Sequence, residues 1–136
     1  MKKLFNPSSP HPARAVQGWQ ILVGMAMRRQ TTTYEDLSGL MYNKKAQGVL
    51  DRILGHIAFY CIDNELPALT SIVVGKRRGT PGHDIPIDIS LIDKEREKVY
   101  KHNWYDTYPP SEAELKTAYE RHIELRGKKA QPKGKE

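Results

Sequence analysis

The chain has 136 residues, 38% of them hydrophobic and 28% charged, with a formal net charge of +6. That length suits one domain with a core of its own, and no apolar run approaches the roughly 18 residues a membrane span needs. The single cysteine, Cys61, excludes an internal disulfide and fits a reducing cytosol, so a cytoplasmic protein is expected.

Residues 1–12 are rich in proline and serine and read as a flexible N-terminus; Met1-Lys2-Lys3-Leu4-Phe5 runs straight into Asn6-Pro7, which leaves no apolar core for a signal peptide. Val16, Trp19, Leu22, Val23 and Ala26 recur at helical spacing and predict a first helix over 13–28. Arg28 and Arg29 sit at its C-terminal end, where the helix dipole favours cations. Residues 30–32 read as a short link or strand. Thr33 is placed as an N-cap, with Asp36 three residues on and Leu37, Leu40 and Met41 following, so a short helix over 34–41 is expected. Residues 42–45 are a turn. A long helix over 46–63 carries Leu50, Ile53, Leu54, Ile57 and Cys61 on one face.

Residues 69–74 are the best strand candidate. Residues 75–82 form a basic, glycine-rich loop. Ile85, Ile87, Ile89 and Leu91 alternate and suggest a returning strand, with Pro86 marking an edge. A short charged helix is expected over 93–101, and residues 104–110 are irregular and aromatic. Ser111 and Glu114 make a capping box for a last helix to about 125. From 126 to 136 five bases and one acid give +4, leaving +2 for the other 125 residues. This stretch reads as a disordered basic tail, either gripping phosphates or keeping the chain in solution. The expected organisation is thus one domain over 13–125 between two loose ends.

On a wheel of about 100° per residue, the side of the long helix opposite its apolar face holds Gly48, Arg52, Gly55 and Phe59. Interior glycines cost about 0.5–1 kcal/mol relative to alanine, so something approaches closely there. It is either another part of the chain, such as the last helix over Phe59, or a DNA backbone or a partner. At the start of the helix, Asn43, Lys44, Lys45 and Gln47 are residue types that pair with base edges and phosphates. Lys76, Arg77 and Arg78, between two expected strands, stand where a winged helix carries its wing.

Catalytic chemistry is weakly signalled. The five histidines share no metal-ligand spacing and one cysteine builds no zinc site, so neither metal nor cofactor is expected. His83 and Asp84 beside Arg77 and Arg78 would need further acids or a second histidine to cut a phosphodiester. Cys61 lies on the apolar face and reads as a buried, inert thiol.

Thr32-Thr33-Tyr34-Glu35-Asp36-Leu37, then Val49-Leu50-Asp51-Arg52-Ile53-Leu54, then Pro67-Ala68-Leu69-Thr70-Ser71-Ile72-Val73-Val74 follow one another over about residues 18–80. In that order they resemble the winged-helix DNA-binding domain of O6-alkylguanine-DNA alkyltransferases and alkyltransferase-like proteins. The likeness implies duplex DNA binding with residues 46–63 as the recognition helix, and Arg52 as a candidate for that family's arginine finger. The alkyl-accepting cysteine and the histidine after it would fall at Ala68 and Leu69, so alkyl transfer is not implied. The block from 54 to 82 also resembles uncharacterised small bacterial and phage proteins.

The expectation is therefore an α/β (α+β) chain: a winged-helix-like helix-turn-helix with a small antiparallel β-hairpin and a C-terminal helix. Its function is expected to be non-catalytic binding of duplex DNA through Asn43, Lys44, Lys45, Gln47, Arg52, Lys76, Arg77 and Arg78, in a protein of phage or mobile-element type. The alternative is a protein-binding adaptor or inhibitor whose Phe59, Trp104, Tyr105 and Tyr108 form an aromatic contact surface. A third is a nuclease-like or nucleotide-acting enzyme centred on His83 and Asp84. No membrane partner is expected.

Overall fold

The structure, a computed structural model, describes residues 3–43, 47–75 and 91–130, except for the side chains of 47, 48 and 126–130. Five helices dominate these residues: α1 (His11–Met27), α2 (Tyr34–Tyr42), α3 (Gln47–Asp63), α4 (Ile92–Lys101) and α5 (Glu112–Ala130). The sheet is a two-residue pair, β1 (Thr32–Thr33) and β2 (Val73–Val74). No helix among the described residues is long and apolar enough to cross a membrane.

The helix starts follow local chemistry. Thr33 caps α2, its Oγ1 accepting the Asp36 N–H at 3.0 Å, and Glu35 and Asp36 fill the first turn. At α5 the capping box closes in both directions: the Ser111 N–H donates to Glu114 Oε1 at 2.9 Å, and the Glu114 N–H to Ser111 Oγ at 3.1 Å. α5 then runs past 125 to Ala130, so the first residues of the expected tail have helical backbone. At the other end, Asn6 and Phe5 of the expected flexible N-terminus lie against Arg14 of α1.

The sheet corrects the expected hairpin. Thr32 pairs with Val73 and Thr33 with Val74 in parallel, α2 and α3 forming the crossover that parallel strands require. Residues 69–72, expected as strand, form a 3-10 turn whose four residues are buried. Two side chains from α4 hold it: Glu95 Oε2 accepts the Ala68 N–H at 2.8 Å, and Arg96 Nε donates to the Ser71 carbonyl at 2.6 Å. A short run buried on all sides has no periodicity to separate strand from turn. The expected return strand over 85–91 lies outside the described residues apart from Leu91.

The core forms around α3. Residues 53–59 are buried without a break, because α1 covers one side of the helix and α5 the other. Both contacts are close at a glycine. A Cβ at Gly18 of α1 would stand 3.4 Å from Ile57 Cδ1, and one at Gly55 of α3 would stand 3.1 Å from Tyr119 Cε1. Trp19 joins the layers, edge-on to Tyr60 and to Trp104 with centroids 5.6 Å away in each case. Trp104 is anchored in turn by its Nε1–H, which donates to the Val99 carbonyl at 2.8 Å.

Gly24 of α1 has nothing within 4 Å of an added Cβ, whereas Gly55 faces Tyr119. Gly24→Ala is expected to stabilise by about 0.5–1 kcal/mol through the helix interior. Gly55→Ala is expected to lose that gain and fall about 1 kcal/mol below the parent through overpacking. Urea unfolding of both variants measures the difference; an equal gain at the two sites would mean that α5 does not press on Gly55.

Candidate nucleic-acid interface

The corner between α2 and α3 is built from the end of α2. Its last residue is followed by Asn43, which takes a left-handed backbone (φ 63°) while its N–H closes the helix on the Gly39 carbonyl at 3.0 Å. Asparagine tolerates that conformation better than other side-chain-bearing residues. The Asn43 side chain is exposed.

Arg14 fixes this corner to the body. It is 4% exposed. Its Nη1 donates to the Met41 carbonyl at 2.6 Å and to Gln17 Oε1 at 2.9 Å, and its Nη2 to the Asn6 carbonyl at 3.0 Å. The guanidinium also lies over the rings of Tyr42, at 4.2 Å, and Phe5, at 5.2 Å. A buried cation is costly unless hydrogen-bonded. Here the partners are carbonyls, one of them among the last of α2, where the helix dipole is negative. Burial raises the Tyr42 hydroxyl pKa, against the opposing pull of Arg14. Sequence reasoning missed Arg14. Its signal was position: it stands four and eight residues before Gly18 and Leu22, on the buried stripe of α1.

Of the expected binding residues, Asn43 and Arg52 are exposed, and neither side chain makes a hydrogen bond or ion pair among the described residues. Gln47 is the first residue of α3. Lys44, Lys45, Lys76, Arg77 and Arg78 lie outside the described residues, as do His83 and Asp84. Arg52 stays open because the cover of α5 begins one turn later, at Gly55 and His56. At Gly55 and Phe59 the close approach inferred on that face is thus the last helix itself.

The aromatic surface of the alternative reading is corrected. Phe59 is 2% exposed and stacks on His122 of α5 with centroids 4.4 Å apart. Trp104 is also buried. Tyr105 and Tyr108 are exposed, which leaves two of the four aromatics at the surface. Cys61 is buried and its thiol is pushed up to about 12 by burial, so it is not a nucleophile at neutral pH. No three His, Cys, Asp or Glu side chains among the described residues gather as a metal site.

At the end of α3, Asp63 receives His122 Nε2–H at 2.8 Å and the Arg121 guanidinium. Burial works to raise the Asp63 pKa, but these two donors outweigh it and hold the carboxyl below its usual range. This pair fastens α5 and takes no part in the corner.

Replacing Arg14 with methionine is expected to cost about 2–4 kcal/mol, since carbonyls that now receive a charged donor would be left without one. Lysine should not rescue, because one ammonium cannot reproduce the guanidinium fork. Urea unfolding measures both; a loss below about 1 kcal/mol for either variant would refute this anchoring role.

Compared with protein-family models, with curated proteins and with solved structures, the chain has no match in any of the three.

Proposed function

We propose that the chain is a small non-catalytic protein of winged-helix type that binds duplex DNA with its α2–α3 corner. The observation that carries this reading is the uneven burial of α3. Residues 53–59 are enclosed, yet Val49 and Arg52 in the first turns of the same helix reach solvent, and Asn43 at the end of α2 is exposed. A helix held rigidly by its middle and open at its N-terminal end suits insertion into a major groove, where recognition helices use their N-terminal residues. Asn43 pairs with an adenine edge, Gln47 does the same from the first residue of α3, and Arg52 takes guanine or a phosphate. Lys44 and Lys45 add charge at the turn. Lys76, Arg77 and Arg78 act as a wing on the DNA backbone, and the basic end supplies charge without sequence preference.

The resemblance to alkyltransferase winged-helix domains points the same way. Alkyl transfer is not part of the proposal, since Ala68 and Leu69 stand where that family has its acceptor cysteine and histidine, and neither side chain is a nucleophile. A second reading, a protein-binding adaptor or inhibitor, keeps Tyr105 and Tyr108, which are 70% and 91% exposed.

The test is a salt titration of duplex binding by the full chain, by the chain without residues 126–136, and by two variant sets. Asn43→Gly with Arg52→Ala removes both corner side chains while glycine accepts the left-handed backbone. It should cost about 1–3 kcal/mol for each base that is no longer read. Arg77→Ala with Arg78→Ala should weaken binding evenly across sequences and flatten the salt dependence. Duplex binding that is absent, or that disappears entirely with the tail, would sink the corner reading and favour a protein partner.

A further inference from the structure

One helical turn beyond Arg52, the buried imidazole of His56 lines a cleft of about 500 Å³ between the N-terminal segment, α3 and α5. The residue is 4% exposed. Its ring lies flat on Tyr119, with centroids 4.1 Å apart and planes 3° from parallel. Its Nδ1 sits 2.8 Å from the Arg52 carbonyl. A carbonyl can only accept, so Nδ1 carries the hydrogen and Nε2 is the nitrogen left for a ligand. Nε2 has no hydrogen-bond partner among the described residues.

The opposite wall is the start of α1. Its N-cap is Pro10, which offers no side-chain acceptor, and the first helical bond runs from the Arg14 N–H to the Pro10 carbonyl at 3.0 Å. Pro12 has no N–H, so the orphan donors of this helix end are those of His11 and Ala13. His11 and Lys116 line the cleft as further bases, and Glu120 is the acid among its lining residues. Arg52 stands one turn away on α3.

We propose that this cleft is a phosphate site. One phosphate seated over the α1 N-terminus accepts hydrogen bonds from the N–H of His11, from Lys116 and from Nε2–H of a protonated His56. Helix N-termini are general anion sites through their free donors and dipole. Here a buried imidazole edge and two further bases complete one.

The site couples phosphate to a proton. In the free protein, burial lowers the His56 pKa; the Arg52 carbonyl opposes this, His11 lowers it further and Glu120 raises it. Near neutral pH the ring therefore starts neutral, with a bare lone pair at Nε2. A backbone diester brings no proton, so its binding takes one from solvent. A terminal phosphomonoester or inorganic phosphate, with a second pKa of about 6, can bring its own. The bound anion favours the imidazolium, so affinity rises as pH falls through the His56 pKa. The inference goes beyond the corner reading and does not require it.

The experiment follows the His56 imidazole by NMR in the full chain from pH 5 to 8, with sodium phosphate and then sodium sulfate. Sulfate does not titrate in this range, so its pH dependence belongs to the protein. The expected result is a rise of about one unit in the His56 pKa at saturation, equivalent to about tenfold tighter binding in acid. His56→Gln tests the ring directly. Lys116→Ala and His11→Ala keep the test open if that variant does not fold, and each should weaken the anion several-fold. A His56 pKa unmoved by both anions, or affinities unchanged in both Lys116→Ala and His11→Ala, would overturn the site. A duplex with 5′-phosphates and the same duplex without them separate the sources. A His56 shift with both identifies the backbone diester, and a shift with the phosphorylated duplex alone identifies the terminal group. Duplex binding that ignores Asn43→Gly with Arg52→Ala would remove the corner reading and leave the phosphate site standing.

Discussion

The structure depends on α3 being enclosed from two directions. Burying a helix all round removes its polar face, so seven consecutive residues, 53–59, must be apolar, small or internally satisfied. His56 meets that demand by giving its Nδ1 hydrogen to its own helix, and Gly55 by leaving room for Tyr119. The stacked pairs His56–Tyr119 and Phe59–His122 then join α3 to α5 through flat faces. These contacts bury area without leaving charged groups inside. The same enclosure leaves Val49 and Arg52, in the first turns of α3, exposed.

Arg14 is the polar counterpart of that apolar constraint. It joins three pieces of chain: the N-terminal segment at Asn6, α1 itself and the end of α2 at Met41. Because two of its three acceptors are backbone carbonyls, it fixes backbone position directly. The end of α2 anchored this way leaves Asn43 exposed just beyond a fixed turn of helix. The cleft beside His56 shares this frame, since His11, at the start of the helix that carries Arg14, lines it.

The region after Pro67 shows polar contacts overriding propensity. Val73 and Val74 pair with the two threonines ahead of α2, but the four residues before them coil into a 3-10 turn under Glu95 and Arg96. α4 thus acts through its charged residues on a segment that is otherwise buried. The hydroxyls of Thr70 and Ser71 are enclosed there without hydrogen-bond partners among the described residues, as is that of Ser38 in α2.

Local chemistry was legible in the amino-acid sequence by itself. Thr33 and Ser111 marked helix starts because a cap is a contact over three residues, and the periodic apolar positions of α1 and α3 marked their buried faces. The charged helix before Trp104 and the inert character of Cys61 were readable for the same reason. Tertiary structure alone decided which helix covers which face. Phe59 reads as outward on a wheel until α5 lies over it, and Trp104 reads as surface until Trp19 and Val99 enclose it. Parallel pairing of Thr32–Thr33 with Val73–Val74 could not be foreseen, because two-residue strands carry no register signal. Arg14 reads as an exposed cation until its acceptors, 8 and 27 residues away, are folded onto it. Contacts at that separation depend on the path of the chain, which no local pattern encodes.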